Sequence, residues 1–287
     1  MAAPTLQRYT AFSADPLGGN PAGVVLDAAG LSDDQMQRVA TAVGYSESAF
    51  VTTEVPEGPD LAAPGGYTVR YFSPVAEVPF CGHATVATAA ALARRIGPGR
   101  FTFHTLSGDV RVETQAEGEL VLVTLTSVEP YVEEAAPAVL AETLAALRWS
   151  GSELHPAYPP RIAYAGARHL VLVTRTRERL TALAYDFDRL ARIMRGADLT
   201  TVTLAWPSDP TTFRVRNPFP VGGVVEDPAT GAAAAAFGAY LRALGKVGDE
   251  ARLLLRQGDE LGRPSRLAVE LTPGDSRVRV TGAAVPI

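Results

Sequence analysis

Residues Ala84–Ala93 read ATVATAAALA, and residues Gly231–Leu241 read GAAAAAFGAYL. A helix on the surface of a globular protein carries an apolar stripe and a polar face. These two segments have no polar face, so each must be surrounded on all sides, and their small side chains let neighbouring backbone come close. Their approaches also match. RYFSPVAEVPFCGHAT (Arg70–Thr85) leads into the first and RNPFPVGGVVEDPAT (Arg216–Thr230) into the second. Each runs from an arginine at a strand end through a proline-containing loop to Ala-Thr. The helices close on Arg94-Arg95-Ile96-Gly97 and Arg242-Ala243-Leu244-Gly245. We read this as an internal duplication, with each half built as sheet around one central helix.

The intervening patterns fill in the two halves. Ser32 with Gln35 forms a capping box, Met36, Val39, Ala40 and Val43 form an apolar stripe, and Gly44 supplies a stop, so a helix is expected over about 33–43. Strands are expected at Gly23–Leu26, in ESAFVTT, at Tyr67–Phe72, and in RFTFHT, DVRVETQ and ELVLVTLT. SVEPYVEE, with Pro130, reads as a linker. Beyond it come a helix near Ala136–Leu147, a proline-rich loop HPAYPPR, strand HLVLVTR, a helix over Phe187–Met194, strands TTVTLAW and TTFRVRN, and the second central helix from about Thr230 to Leu244. RLLLRQG, RLAVELT and RVRVTG close the chain as strands. The halves are expected at 1–127 and 128–277, with the strand at about 278–287 packing back onto the first.

Composition limits the partners. Of 287 residues 47% are hydrophobic and 20% charged, which supplies a substantial core, and the net charge of −5 is opposite to that of a nucleic-acid binder. The N-terminal stretch lacks a charged-then-apolar signal pattern, and the longest apolar run is too short to span a bilayer. A single cysteine cannot form an internal disulfide. Together these lead us to expect a cytoplasmic protein that engages neither membrane nor nucleic acid.

Several chemistries are disfavoured by spacing. The histidines, His83, His104, His155 and His169, show neither i,i+4 nor His-x-His spacing, and one cysteine cannot build a thiolate cage, so no metal site is expected. There is no dinucleotide fingerprint, and GAYLRALGKV lacks the hydroxyl residue that follows Gly-Lys in a P-loop. GYSES (Gly44–Ser48) sits between a helix and a strand, the reverse of a nucleophile elbow, so Ser46 reads as a loop hydroxyl. Cys81 and His83 could pair as nucleophile and base at a helix start, although a solitary cysteine is more often a buried small hydrophobe. Isomerases that use two thiols are excluded by the count. The remaining candidates are carboxylates: Glu47 at a strand mouth, and Glu226 and Asp227 before the second central helix. Each could instead be a cap or a surface charge, and Thr85 and Thr230 could be simple caps. Both helix starts, Cys81–Thr85 and Glu226–Gly231, present unpaired N–H groups suited to a carboxylate ligand.

GNPAGVV (Gly19–Val25), GYSESAFV (Gly44–Val51), YFSPVAEVPFCGHATVATAAAL (Tyr71–Leu92), EDPATGAAAAAFGAYL (Glu226–Leu241) and QGDELGRPSRL (Gln257–Leu267) together resemble the phenazine-biosynthesis PhzF-like isomerase family, in order and across nearly the whole chain. The resemblance implies an α+β, diaminopimelate epimerase-like fold: two pseudo-symmetric α/β halves, each a curled sheet around a central helix, with the active site in the cleft between them. It implies no cofactor and no metal, and a homodimer. By the same resemblance Glu47 is the general acid/base, His83 and Asp227 are its catalytic partners, and Asn20, Ser46, Gly82, Thr230 and Gly231 bind substrate. The thiol positions of the related two-thiol epimerases correspond to Gly82 and Asp227. The family's second block often continues Gly-Ser, where this chain has Ala232. The expected activity is a cofactor-independent proton shift within a small carboxylate-bearing substrate. The alternatives are a thiol-dependent enzyme using Cys81 and His83, or a non-catalytic small-molecule binder that retains the fold.

Overall fold

The computed structural model describes residues 5–56 and 66–287. The chain divides into two compact units, Met1–Thr126 with Thr281–Ile287, and Ser127–Val280.

The first unit contains β1 (Gln7–Ala11), β2 (Asn20–Val25), α1 (Asp33–Val43), β3 (Ser48–Val51), β4 (Tyr67–Phe72), β5 (Glu77–Val78), α2 (Gly82–Ile96), β6 (Arg100–Thr105), β7 (Gly108–Glu117) and β8 (Leu120–Thr126). β2 pairs antiparallel with β1 and parallel with β3, with Gly23 opposite Ser48. β3–β4 is antiparallel, β4–β6 parallel, and β6–β7–β8 antiparallel. The end of the chain completes the ring: residues 284–286 pair with β1, and Thr281 Oγ1 lies 2.7 Å from Thr124 Oγ1 of β8. α2 runs inside this sheet, and every residue from His83 to Ala93 is buried. Its threonines are tolerated there because their hydroxyls bond back to the preceding turn, Thr85 to the Cys81 carbonyl and Thr88 to the Ala84 carbonyl, each at 2.7 Å. α1 covers the other face, where Met36 and Ala40 pack with Val25, Phe50 and Phe72. The Ser32–Gln35 capping box and the left-handed stop at Gly44 are both present.

The second unit contains β9 (Tyr131–Glu134), α3 (Pro137–Leu147), β10 (Arg161–Tyr164), β11 (Arg168–Val173), α4 (Arg177–Thr181), α5 (Phe187–Gly196), β12 (Thr201–Pro207), β13 (Thr212–Phe219), β14 (Val224–Asp227), α6 (Gly231–Ala243), β15 (Ala251–Gln257), β16 (Ser265–Thr272) and β17 (Asp275–Pro286), the last continuing into the first unit. Its pairing repeats that of the first unit. β10–β11 is antiparallel, β11–β12 parallel, β12–β13 antiparallel, β13–β15 parallel and β15–β16 antiparallel. A short strand again folds back just before the central helix, β5 on β4 and β14 on β13. The duplication read from sequence is therefore present in the strand order. In α6 every residue from Ala233 to Leu241 is buried. β11 and β12 are buried on both faces, and α3 and α5 cover the face away from α6 through Leu147, Leu190 and Met194 on Leu170, Leu172, Val202 and Leu204.

Two expectations need correction. SVEPYVEE is not an unstructured linker: Tyr131–Glu134 form β9 and pair with β10. The proline-rich loop HPAYPPR ends in a strand, because Arg161 opens β10. No helix among the described residues is long and apolar enough to cross a membrane.

Inside the second sheet lies a polar chain. His169 Nδ1 is 2.8 Å from Thr201 Oγ1, and the Thr201 and Thr203 hydroxyls both donate to Asn217 Oδ1. Thr201 spends its proton on Asn217, so His169 must donate through Nδ1–H. That leaves Nε2 as a buried acceptor without a partner among the described residues. Burial pushes the His169 pKa down from 6.5 to about 3.

Two expectations about stability follow. A Cβ at Gly238 would lie 2.7 Å from Val269 Cγ1 and 3.2 Å from Val278 Cγ1. Gly238→Val, despite its better helix propensity, should lower stability by about 1–3 kcal/mol in urea unfolding. His169 is neutral when folded and takes a proton when unfolded, so its contribution is complete above pH 6.5 and declines as pH falls toward about 3. The decline should approach about 1.4 kcal/mol per pH unit. Urea midpoints measured over that window should therefore fall less steeply for His169→Gln than for the parent.

Candidate active site

In the first unit the site is assembled at one end of the β2–β3 pair. α1 stops at Gly44, the chain turns through Tyr45 and Ser46, and Glu47 stands immediately before β3. Asn20 opens β2, which runs parallel to β3, so it lies at the same end of the sheet. α2 begins at Gly82, after Cys81 in extended conformation at the N-cap position, with no side-chain cap. That extended backbone allows the Cys81 thiol to fold toward His83, with Sγ 3.3 Å from Nδ1. The loop before β3 and the start of α2 thus bring four side chains together. Glu47 Oε2 is 3.5 Å from His83 Nε2 and accepts from Cys81 Sγ at 3.5 Å, and Ser46 Oγ is 3.3 Å from His83 Nε2. His83 and Cys81 are buried, while the Glu47 side chain keeps 15% of its exposure. Cys81 is therefore more than packing: its sulfur touches both the carboxylate and the imidazole. Thr85 is not a cap. It lies within the first turn, and its hydroxyl meets Tyr71 Oη at 2.7 Å.

In the second unit the adjacent carboxylates part company because they lie on a strand, where neighbouring side chains point to opposite faces. Glu226 meets Arg216, whose Nε lies 3.0 Å from Oε1 and whose Nη2 lies 2.5 Å from Oε2. The Arg216 guanidinium also donates to the Leu180 and Thr181 carbonyls. Asp227 instead accepts from Thr230 Oγ1 at 2.6 Å. Thr230 occupies the N-cap position of α6, but its hydroxyl is used on Asp227 and makes no capping bond. Gly231 and Ala232 open the helix, where the first-turn N–H groups have no intrahelical acceptor.

Gln257 was missed in the sequence. It ends β15, and it holds this loop by three bonds: Nε2 donates to the Asp227 carbonyl at 2.7 Å and to Thr230 Oγ1 at 3.0 Å, and Oε1 accepts from the Thr230 N–H at 3.1 Å. The next residue, Gly258, has φ +78°, and a Cβ there would sit 2.3 Å from the Arg263 carbonyl and 2.8 Å from that of Pro228. Only glycine permits this approach. The one available signal was the QG pair in QGDELGRPSRL, where a polar residue ends an apolar strand.

Arg216 and Glu226 form a buried pair with side-chain exposures of 9% and 1%. Removing one partner strands the other charge. Arg216→Met should cost about 3–5 kcal/mol in urea unfolding, and adding Glu226→Leu should recover most of that loss.

Residues 9–287 match the family model described as phenazine biosynthesis-like protein, PhzC-PhzF. The chain is 32% identical to the uncharacterized isomerase YddE of Salmonella typhimurium, over 98% of this chain and 96% of that protein. It is also 32% identical to the trans-2,3-dihydro-3-hydroxyanthranilate isomerase of Pseudomonas aeruginosa, over 95% and 93% of the two chains. Its fold is similar to that of a PhzF-family phenazine biosynthesis protein from Bacillus anthracis (TM-score 0.87, 24% identity, 100% and 98% coverage). It also resembles a probable proline racemase from Agrobacterium radiobacter (TM-score 0.66, 13% identity, 98% and 90% coverage). A match over almost its whole length, joined to a duplicated sheet-around-helix fold, makes this chain a member of the phenazine-biosynthesis PhzF-like family, with the diaminopimelate epimerase-like fold.

Proposed function

We propose that this chain, an isomerase of the PhzF-like family, moves a proton within a small carboxylate-bearing substrate without a cofactor. Glu47 takes the proton from one carbon and returns it to another. His83 assists that transfer, and Asp227 acts as a second polar partner. N–H groups at the start of α2, around Gly82, bind a substrate carboxylate, with Asn20 and Ser46 lining that site, and in the second unit Thr230 and Gly231 at the start of α6 are likewise substrate-binding. The observation that carries this reading is the Glu47 carboxylate, partly buried, 3.5 Å from an imidazole that is itself hydrogen-bonded to Ser46. A carboxylate held this way is within reach for proton transfer. The relative from Pseudomonas aeruginosa is named for a dihydro-hydroxyanthranilate, a ring carboxylate, which supports a cyclic or amino-acid-like acid here. Ala232, which brings no hydroxyl to the start of α6, keeps the proposal at that class rather than at that compound.

One contact favours a second reading. Cys81 Sγ is 3.3 Å from His83 Nδ1, the arrangement a thiol nucleophile would need.

Deuterium exchange separates the readings. A panel of small carboxylates incubated with the protein in heavy water should include one that gains deuterium at carbon. Glu47→Gln should slow that exchange by about 10²–10⁴-fold, whereas Cys81→Ala should keep most of it. Full exchange in Glu47→Gln would remove Glu47 from the role. Loss in Cys81→Ala would favour the thiol enzyme, and no exchange with any acid would favour a binding module.

A further inference from the structure

Glu47, Cys81 and His83 offer a carboxylate oxygen, a sulfur and an imidazole nitrogen within 4.8 Å of one another. We propose that these three side chains form a binding site for a borderline-soft divalent cation, of which Zn²⁺ is the model, and that occupancy switches the enzyme off. The sequence argued against metal because histidine and cysteine spacing alone shows no ligand set. The missing ligand is Glu47, which arrives from the start of β3.

The separations of the three donor atoms approach those of a tetrahedral site. With Zn–S about 2.3 Å and Zn–N or Zn–O about 2.0 Å, tetrahedral angles put sulfur about 3.5 Å from nitrogen or oxygen, and nitrogen about 3.3 Å from oxygen. The corresponding separations are 3.8 Å for Cys81 Sγ to His83 Nε2, 3.5 Å for Sγ to Glu47 Oε2, and 3.5 Å for Nε2 to Oε2. Closing the set around one ion takes a contraction of roughly 0.3 Å in these separations and a turn of the His83 ring that carries Nδ1 away from its 3.3 Å contact with Sγ and aims the Nε2 lone pair at the ion. The donor mixture selects the metal: thiolate and imidazole suit zinc, while magnesium and calcium prefer oxygen alone. Three protein ligands leave a fourth position for water or a substrate carboxylate. The partly exposed Glu47 side chain marks the side from which an ion enters.

On binding, the Cys81 S–H bond breaks, its electron pair forms the S–metal bond, and the proton leaves to water; no electron is transferred. The ion also occupies Glu47 Oε2 and so takes the carboxylate away from proton transfer. Only this inhibitory consequence rests on the function proposed above. Binding does not, and it is measured without substrate.

The test is a Co²⁺ titration of the untagged full chain. A thiolate-to-cobalt charge-transfer band should appear in the near ultraviolet and saturate at one ion per chain. Cys81 is the only cysteine, so the band reports that sulfur alone. Zn²⁺ should abolish the band by displacing cobalt. Glu47→Gln and His83→Gln should each weaken Zn²⁺ binding by at least about 10-fold, and Cys81→Ser should lose the band. No band in the parent protein would overturn the proposal, and so would a band unmoved by both Glu47→Gln and His83→Gln.

Discussion

Much of this structure depends on two helices whose central turns face no solvent. A helix ringed by sheet must present small side chains on every side, which is why α2 and α6 are built from alanine, glycine and threonine. Burial of the body leaves the polar business of the helix at its ends, where the first-turn N–H groups lack intrahelical partners. In each unit the strand pairing places a tight, proline-containing approach immediately before that start. Packing and chemistry are therefore coupled: the sequence that lets the sheet close around the helix also decides which side chains surround its N-terminus.

The two helix starts solve that problem differently. At α6 the alternation of β14 sends Glu226 to a buried arginine and Asp227 to Thr230, so one carboxylate is neutralised structurally and the other accepts from a hydroxyl at the helix start. Gln257 then ties the Asp227 carbonyl and the Thr230 N–H to the end of β15. At α2 the carboxylate comes from elsewhere in sequence. Glu47 is delivered by the loop between α1 and β3, and its orientation comes from His83 and Cys81 on the helix side. One start is stiffened by strand-end hydrogen bonds, while the other is a cluster of three titratable side chains.

How much of this was legible follows from range. Local signals transferred well: the Ser32 capping box, the Gly44 stop and the two all-small helices are decided within a few residues, and each is present. Elements decided by distant pairing did not. Tyr131–Glu134 carries glutamates and follows a proline, so it reads as linker, yet β10 gives it a partner. VVED before α6 lies in what reads as a proline-containing loop, yet it pairs with β13 across an irregularity at Pro218 and Phe219. The site divided along the same line. Glu47, His83 and Asp227 are named from their motifs, and the structure sets the first two 3.5 Å apart. The Glu226–Arg216 pair, the role of Gln257 and the contact of Cys81 with Glu47 span 10, 27–30 and 34 residues, and no periodicity reports on such pairs.

Cys81 shows what that long-range contact changes. Taken as a side chain next to His83, it is a small apolar residue at a crowded helix start. Placed against Glu47 as well, it adds a soft donor to a hard carboxylate and an intermediate imidazole. On the function proposed above, Glu47 is a base that must stay accessible to substrate, so it keeps an oxygen lone pair available. That same availability lets a cation use it. A serine in place of Cys81 would preserve the hydrogen-bonding shape with far less affinity for zinc, so the thiol is what turns a carboxylate beside an imidazole into a three-ligand set for a borderline-soft cation.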